Sequence, residues 1–356
     1  MQAPFRYGII EGFFGRPWSW DDREAYAAFL EDSGFDYYIY APKGDRILRQ
    51  DWPGRWPAGT LDSLHRLGEI YRSRGLAWGI GLNLFELHLR YDAEAIGRLE
   101  NKVRYLNDLQ PDLLAILFDD MRGDVDEIAR IQADVTHRAV ELSTAESVIM
   151  CPTYYSDSPL LDRLFGERPA GYLEKLGRDL DPAVGIFWTG PDVCSPSYPV
   201  EHLKSVGERL GRKPYIWDNY PVNDSEKMSR FLHLRAFEGR PHEMSEWTAG
   251  HAVNPMNQSW LSRIPLLTLD INYRRMESYD PEGAWEEAAR RLCGEALAEC
   301  LEDDLSLFHD AGLDRIPPSS LDRLIERYSS FDSPYAREVT GWLRGEYPYS
   351  PECVTE

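Results

Sequence analysis

The 356 residues predict an α/β protein, a parallel (β/α)8 TIM barrel followed by a small C-terminal helical region. Three observations carry that prediction. Apolar runs of strand length recur eight times, at 6–14, 37–42, 76–82, 113–120, 147–153, 184–190, 214–219 and 250–256. Amphipathic stretches separate them. The turn after the first run reads Glu-Gly-Phe-Phe-Gly-Arg-Pro-Trp, bulky and aromatic. Eight alternations of strand and helix close a parallel sheet on itself. An open doubly wound sheet is the competing arrangement, but it usually carries a Gly-rich phosphate turn at that first position.

The helical stretches are legible one by one. DDREAYAAFLEDSG (21–34), TLDSLHRLGEIYRSRG (60–75) and DAEAIGRLENKVRYLNDL (92–109) place apolar residues at helical spacing after acidic starts, and the first two stop at Gly. After about residue 280 the strand alternation ends. AWEEAARRLCGEALAECLEDDLSLFHDAGL and SSLDRLIERYSSF read as helices, with Pro-rich turns at 316–318 and 347–351. The expected division is therefore a barrel over 1–280 and a C-terminal helical bundle or lid over 281–356.

Bulk composition narrows the function classes. Hydrophobic content of 43% and aromatic content of 12% support a packed core and exclude global disorder. A net charge of −21 repels nucleic acid, anionic lipid and polyanionic glycans, so no nucleic-acid partner is expected. The cysteines, Cys151, Cys194, Cys293, Cys300 and Cys353, are odd in number and widely separated, suggesting neither a disulfide scaffold nor a zinc knuckle. No apolar run approaches the ~18 residues of a membrane span. MQAPFRYGII at the N-terminus has no signal-peptide core, which points to a cytoplasmic protein.

Active sites of such barrels lie where the strands end. Those ends supply Glu11-Gly12-Phe13-Phe14-Gly15, Ala41-Pro42-Lys43, Asn83, Asp119-Asp120, Thr153 with Tyr155, Trp188-Thr189-Gly190, Trp217-Asp218-Asn219 and Asn254-Pro255-Met256. Carboxylates, amides, one lysine and several aromatics converge on one rim. Sugars are bound by such sets, planar polar groups taking hydroxyls and ring faces taking C–H surfaces.

The sharpest feature is Asp119-Asp120, directly after a buried run. Two acids sharing a dry pocket cannot both ionise freely, and a raised carboxyl suits a general acid. A helix N-cap beside a solvated neighbour is the bland reading; the surrounding rim tips the balance to catalysis. Retaining glycosidases with a carboxylate nucleophile need their acids about 5–5.5 Å apart on either side of the anomeric carbon. Adjacent residues on one strand end cannot easily flank a sugar that way. They suit a mechanism in which the substrate's own 2-acetamido oxygen attacks, one Asp holding the acetamido N–H and the other protonating the leaving oxygen. A divalent metal on the pair is disfavoured, since Glu11 and Asp218 are the only further carboxylates nearby and the histidines lack ligand spacing. No cofactor is expected.

E-G-F-F-G-R-P-W (11–18), Y-A-P-K (40–43), L-F-D-D (117–120), C-P-T-x-Y (151–155), F-W-T-G-P-x-V (187–193), W-D-N-Y-P-V-N-D (217–224) and N-P-M (254–256) resemble glycoside hydrolase family 84, the β-N-acetylglucosaminidases that include protein O-GlcNAcases. The matches run in the family's order through nearly the whole barrel. The resemblance implies that Asp119 orients and polarises the acetamido group and that Asp120 is general acid, then base. It implies that Gly12 and Lys43 bind sugar hydroxyls and that Tyr155 and Trp217 wall the acetamido pocket. Asn219 would sit beside that pocket, Asp224 would take the O4 and O6 hydroxyls, and Asn254 another hydroxyl. Singly, each has a blander reading as turn, cap or core residue.

The sequence departs from the family pattern at Phe14, where a Tyr is usual, at Gly44, where an acid follows A-P-K, and along RILRQDWPGRWP (46–57). A retaining exo-β-N-acetylglucosaminidase acting on a glycan, glycopeptide or glycoprotein is the first reading. A sugar-binding or regulatory protein that has lost turnover is the second, resting on Phe14 and Gly44. A metal-dependent barrel hydrolase is the third. The net charge disfavours a polyanionic glycan unless Arg46, Arg49, Arg55 and Arg90 form a local basic patch.

Overall fold

The computed structural model describes residues 5–355. Eight parallel strands close into a barrel in chain order: β1 (Arg6–Glu11), β2 (Tyr37–Tyr40), β3 (Ala77–Asn83), β4 (Leu113–Leu117), β5 (Ser147–Cys151), β6 (Gly185–Trp188), β7 (Tyr215–Asp218) and β8 (Gly250–Val253). Closure is made by β1 against β8, with Arg6 beside Gly250 and Ile9 beside Val253. Each predicted apolar run holds one strand. The ladders stop several residues before most of the runs do, because the runs include the loops that leave the sheet. That overrun matters: the residues past the ladder form the rim.

Side chains alternate across the sheet as strand geometry requires. Tyr37 on β2 meets Tyr215 on β7 at a ring separation of 6.3 Å. Since β1 and β8 lie between those strands, the contact crosses the barrel interior. Tyr38, one residue on, faces outward and packs on Trp78 and on Tyr71 of the helix Ala58–Ser73. The large interior rings need small neighbours. A Cβ added to Gly250 would lie 2.3 Å from the Tyr215 ring.

Helices pack outside the barrel, among them Trp20–Asp32, Ala58–Ser73, Ala93–Asn107, Ile128–Leu142, Val200–Leu210 and Arg263–Arg275. Ser19 caps the first by accepting from the Asp22 N–H, and Asp92 caps the third. Beyond the barrel come Pro281–Cys293, Glu295–Asp303, Pro318–Ser329 and Pro334–Leu343. Their buried Trp285, Tyr328 and Trp342, with Phe308 of the short helical segment Ser306–Ala311, join the same apolar core as the barrel. Trp285 donates to the Leu234 carbonyl and Trp342 to the Ser229 carbonyl. These helices therefore brace the long β7 loop, which also carries Asp224. Among the described residues no helix is long and apolar enough to cross a membrane.

Candidate active site

The site is built outward from the end of β4. Asp119 is buried, and one of its carboxylate oxygens forms an ion pair with the Lys43 ammonium. Its other oxygen accepts from Asn83 Nδ2 at 3.1 Å. Lys43 is itself buried and reaches Asp119 from the end of β2, lying against the rings of Trp217 and Phe14. Asp120 departs from strand geometry, with φ at 57°. Successive residues of an extended chain face opposite ways, so the turn into the left-handed region is what lets both acids face one pocket. That conformation is strained by about 1 kcal/mol or more for a residue with a Cβ.

The two acids stand in different electrostatic surroundings. Burial, and then the neighbouring Asp119 carboxylate, pushes the Asp120 carboxyl above the usual range; Lys43, Tyr155 and Arg49 oppose the shift without cancelling it. Tyr155 donates its hydroxyl to Asp120 Oδ1 at 2.9 Å. The Tyr155 hydroxyl is also pushed well up by burial, so it remains a donor.

On the opposite side, Gly12 sits under Trp217. A Cβ at Gly12 would lie 2.4 Å from the indole, so only glycine allows this approach. Trp217 Nε1 donates to Asn219 Oδ1 at 2.9 Å, and Asn254 Nδ2 donates to the same oxygen at 3.0 Å. Asn254 Oδ1 accepts from the Gly12 N–H at 3.1 Å, and Asn219 Nδ2 donates to the Val193 carbonyl at 2.8 Å. These residues form one continuous hydrogen-bond chain that fixes the indole plane. Asp224 accepts from the Phe14 N–H at 2.7 Å, and burial raises its carboxyl to about 6.

Gly12, Lys43, Asp119, Asp120, Tyr155, Trp217, Asn219, Asp224 and Asn254 thus line a single pocket. Other rim residues are engaged elsewhere. Glu11 turns outward between barrel and helix, where Arg23 takes both its oxygens at 2.6 and 2.8 Å. Asp218 likewise faces outward to Arg240 and His251. Asp45, which follows Gly44, accepts from Tyr40 at 2.9 Å and Trp56 at 2.7 Å, so it braces its own loop. Arg46, Arg49 and Arg90 pair separately with Asp51, Glu352 and Asp92, while Arg55 lies on the Tyr105 ring. Among the described residues no cluster of three His, Cys, Asp or Glu has metal-holding geometry.

Sequence reasoning missed several pocket residues. Thr189, expected on the rim, does line the pocket; Cys151, Val193 and Val222 lie in the quoted motifs with no role assigned to them, and Cys194 and Met228 lie outside those motifs. Cys353 and Thr355 enter from the far C-terminus, with no local signal in the sequence to announce them.

A closed parallel barrel whose rim gathers an acid pair, a lysine, amides and aromatic walls has the architecture and the functional groups that glycoside hydrolases use. The model of the β-N-acetylglucosaminidase family matches residues 7–308. The chain belongs to that family, glycoside hydrolase family 84. It is 27% identical over 285 residues to the protein O-GlcNAcases of Mus musculus and Rattus norvegicus, covering 76% of this chain and 30% of each relative. The chain therefore matches less than a third of the length of those curated relatives. A solved structure of a Thermobaculum terrenum O-GlcNAc hydrolase mutant is 27% identical, with a TM-score of 0.79 over 96% of this chain and 81% of that one. The structure of CpGH84B, 24% identical with a TM-score of 0.77 over 96% of this chain and 66% of that one, shares the fold.

Proposed function

We propose that the chain is a retaining exo-β-N-acetylglucosaminidase that uses the substrate's 2-acetamido group as nucleophile. The observation that carries this reading is the unlike pair at the end of β4: Asp119 joined to Lys43, and Asp120 raised by burial and by Asp119 itself. In the proposed first step the acetamido oxygen bonds to the anomeric carbon as the bond to the aglycone oxygen breaks. Asp119 accepts the acetamido N–H and steadies the charge that develops there. Asp120 gives its proton to the departing oxygen. In the second step Asp120 takes a proton from water, and that water opens the oxazoline with net retention.

Tyr155 and Trp217 would hold the acetamido arm, with Asn219 beside it. Gly12, Lys43, Asp224 and Asn254 would take ring hydroxyls. Substrates of this reading are β-N-acetylglucosamine on a glycoprotein, glycopeptide or glycan, met in the cytoplasm, with the barrel over 1–280 as catalytic unit and 281–356 as its helical brace. Family membership and the similarity to protein O-GlcNAcases support it over a binding protein without turnover.

Leaving-group dependence tests the roles. Asp120→Asn loses proton donation, so its deficit should shrink by about tenfold or more on an aryl glycoside with a good leaving group relative to an alkyl one. Asp119→Asn should lose activity on both alike. A thiazoline mimic of the cyclised intermediate should inhibit strongly. Equal behaviour of the two variants refutes the assignment.

A further inference from the structure

The segment 350–355 returns to the mouth of the barrel. Glu352 accepts from Arg49 Nη1 at 2.7 Å and from Gln50 Nε2 at 2.9 Å. The next residue, Cys353, brings its sulfur to 3.8 Å from Asp224 Oδ1, and Thr355 lines the same pocket. The seat for this segment is made by Arg49 and Gln50, and the Arg49 guanidinium also lies over Phe14 at 5.2 Å.

The contact falls on a group needed for the sugar. Asp224 Oδ2 already accepts from the Phe14 N–H, and Oδ1 faces the Cys353 thiol. A hydroxyl pair approaching Oδ1 needs the space that Cys353 fills. The hold is also light. Beyond these contacts the segment has little structure of its own, and the Glu352 side chain is 50% exposed, so its ion pair is screened by solvent.

We infer that residues 350–355 form a strap that covers the Asp224 end of the pocket and is displaced when a sugar enters, so that the chain restrains its own site. This rests on the reading of Asp224 as a hydroxyl-binding residue.

Two altered chains test it: one ending at Tyr349, and the full chain carrying Glu352→Ala, which keeps the test sound should truncation disturb folding. Alkylation of Cys353 by iodoacetamide, followed by mass spectrometry, should be about three- to fivefold faster in Glu352→Ala than in the unaltered chain. The KM for a chromogenic N-acetylglucosaminide should fall by a similar factor in both chains, with kcat of Glu352→Ala unchanged. Unchanged alkylation overturns the anchor. Faster alkylation with KM unchanged or raised in an active enzyme overturns the competition and makes the segment a spectator or a wall. If Cys353 is freed as expected, yet no form hydrolyses the glycoside or binds the thiazoline, the proposed function itself fails and the restraint with it.

Discussion

Lys43 is paired with Asp119, and its charge is also felt by Asp120. It neutralises part of the field that Asp119 exerts on Asp120, which keeps the Asp120 carboxyl from rising further. The sign of its removal follows. In Lys43→Met the Asp120 pKa moves up, because the lowering influence is lost while burial and Asp119 remain. A general acid works while protonated, so the basic limb of the kcat/KM profile should move to higher pH. An overall loss of about tenfold or more in kcat/KM accompanies the shift, since the proposed charged partner of a sugar hydroxyl also goes. A basic limb that stays put, or moves down, would remove Asp120 from the role of acid.

At the scale of the element, the strands were readable because each is a short apolar run bounded by turn chemistry, and the barrel because those runs alternate with helical periodicity. The ends of the strands were readable to within a few residues, which put eight of the nine proposed site residues on the rim; Asp224, and the choice of these nine among their neighbours, came from the resemblance to glycoside hydrolase family 84. What could not be read was orientation. Glu11 and Asp218 stand at strand ends as Gly12 and Trp217 do, yet strand alternation turns them outward to Arg23 and Arg240. No local pattern announces that phase, since the arginines that take these carboxylates lie 12 and 22 residues away in sequence. The mutual bonding of Asn219 and Asn254 was equally hidden, being a contact between β7 and β8 loops 35 residues apart.

Gly12 tests this level. Its Cβ has no room beside Trp217, and the indole is pinned at its nitrogen by Asn219. Gly12→Ala must push the ring or the β1 loop aside. Such overpacking costs about 1–3 kcal/mol, and here much of it should appear as a displaced pocket wall. We expect KM to rise by about tenfold or more, with a modest drop in Tm. Unchanged KM together with an unchanged Tm would mean that the ring does not occupy this place in solution.

At the scale of the whole molecule, the helices after the barrel hold the rim through buried polar contacts as well as through the shared core. Glu338, on the helix Pro334–Leu343, accepts from the Ser259 hydroxyl and from the Trp260 and Leu261 N–H groups, all in the segment that follows Asn254 and Met256. Burial nevertheless dominates and raises its carboxyl from 4.5 to about 7. The native state therefore binds this proton more tightly than the unfolded chain does. Between about pH 4.5 and 7 unfolding releases it, so the contribution of Glu338 to stability falls as pH rises through that window and is level above it. Across the window the change is about 3–4 kcal/mol at most, at 1.36 kcal/mol per unit over about 2.5 units. Glu338→Gln removes the ionisation. The difference in unfolding free energy between the two proteins, followed by urea denaturation, should move in favour of the variant as pH is raised from 5 to 7.5. Other carboxylates titrate in both proteins and cancel in that difference. If the difference is flat with pH, or moves the opposite way, the three donors outweigh burial and Glu338 is ionised throughout, a charged clamp holding the last helix to the rim.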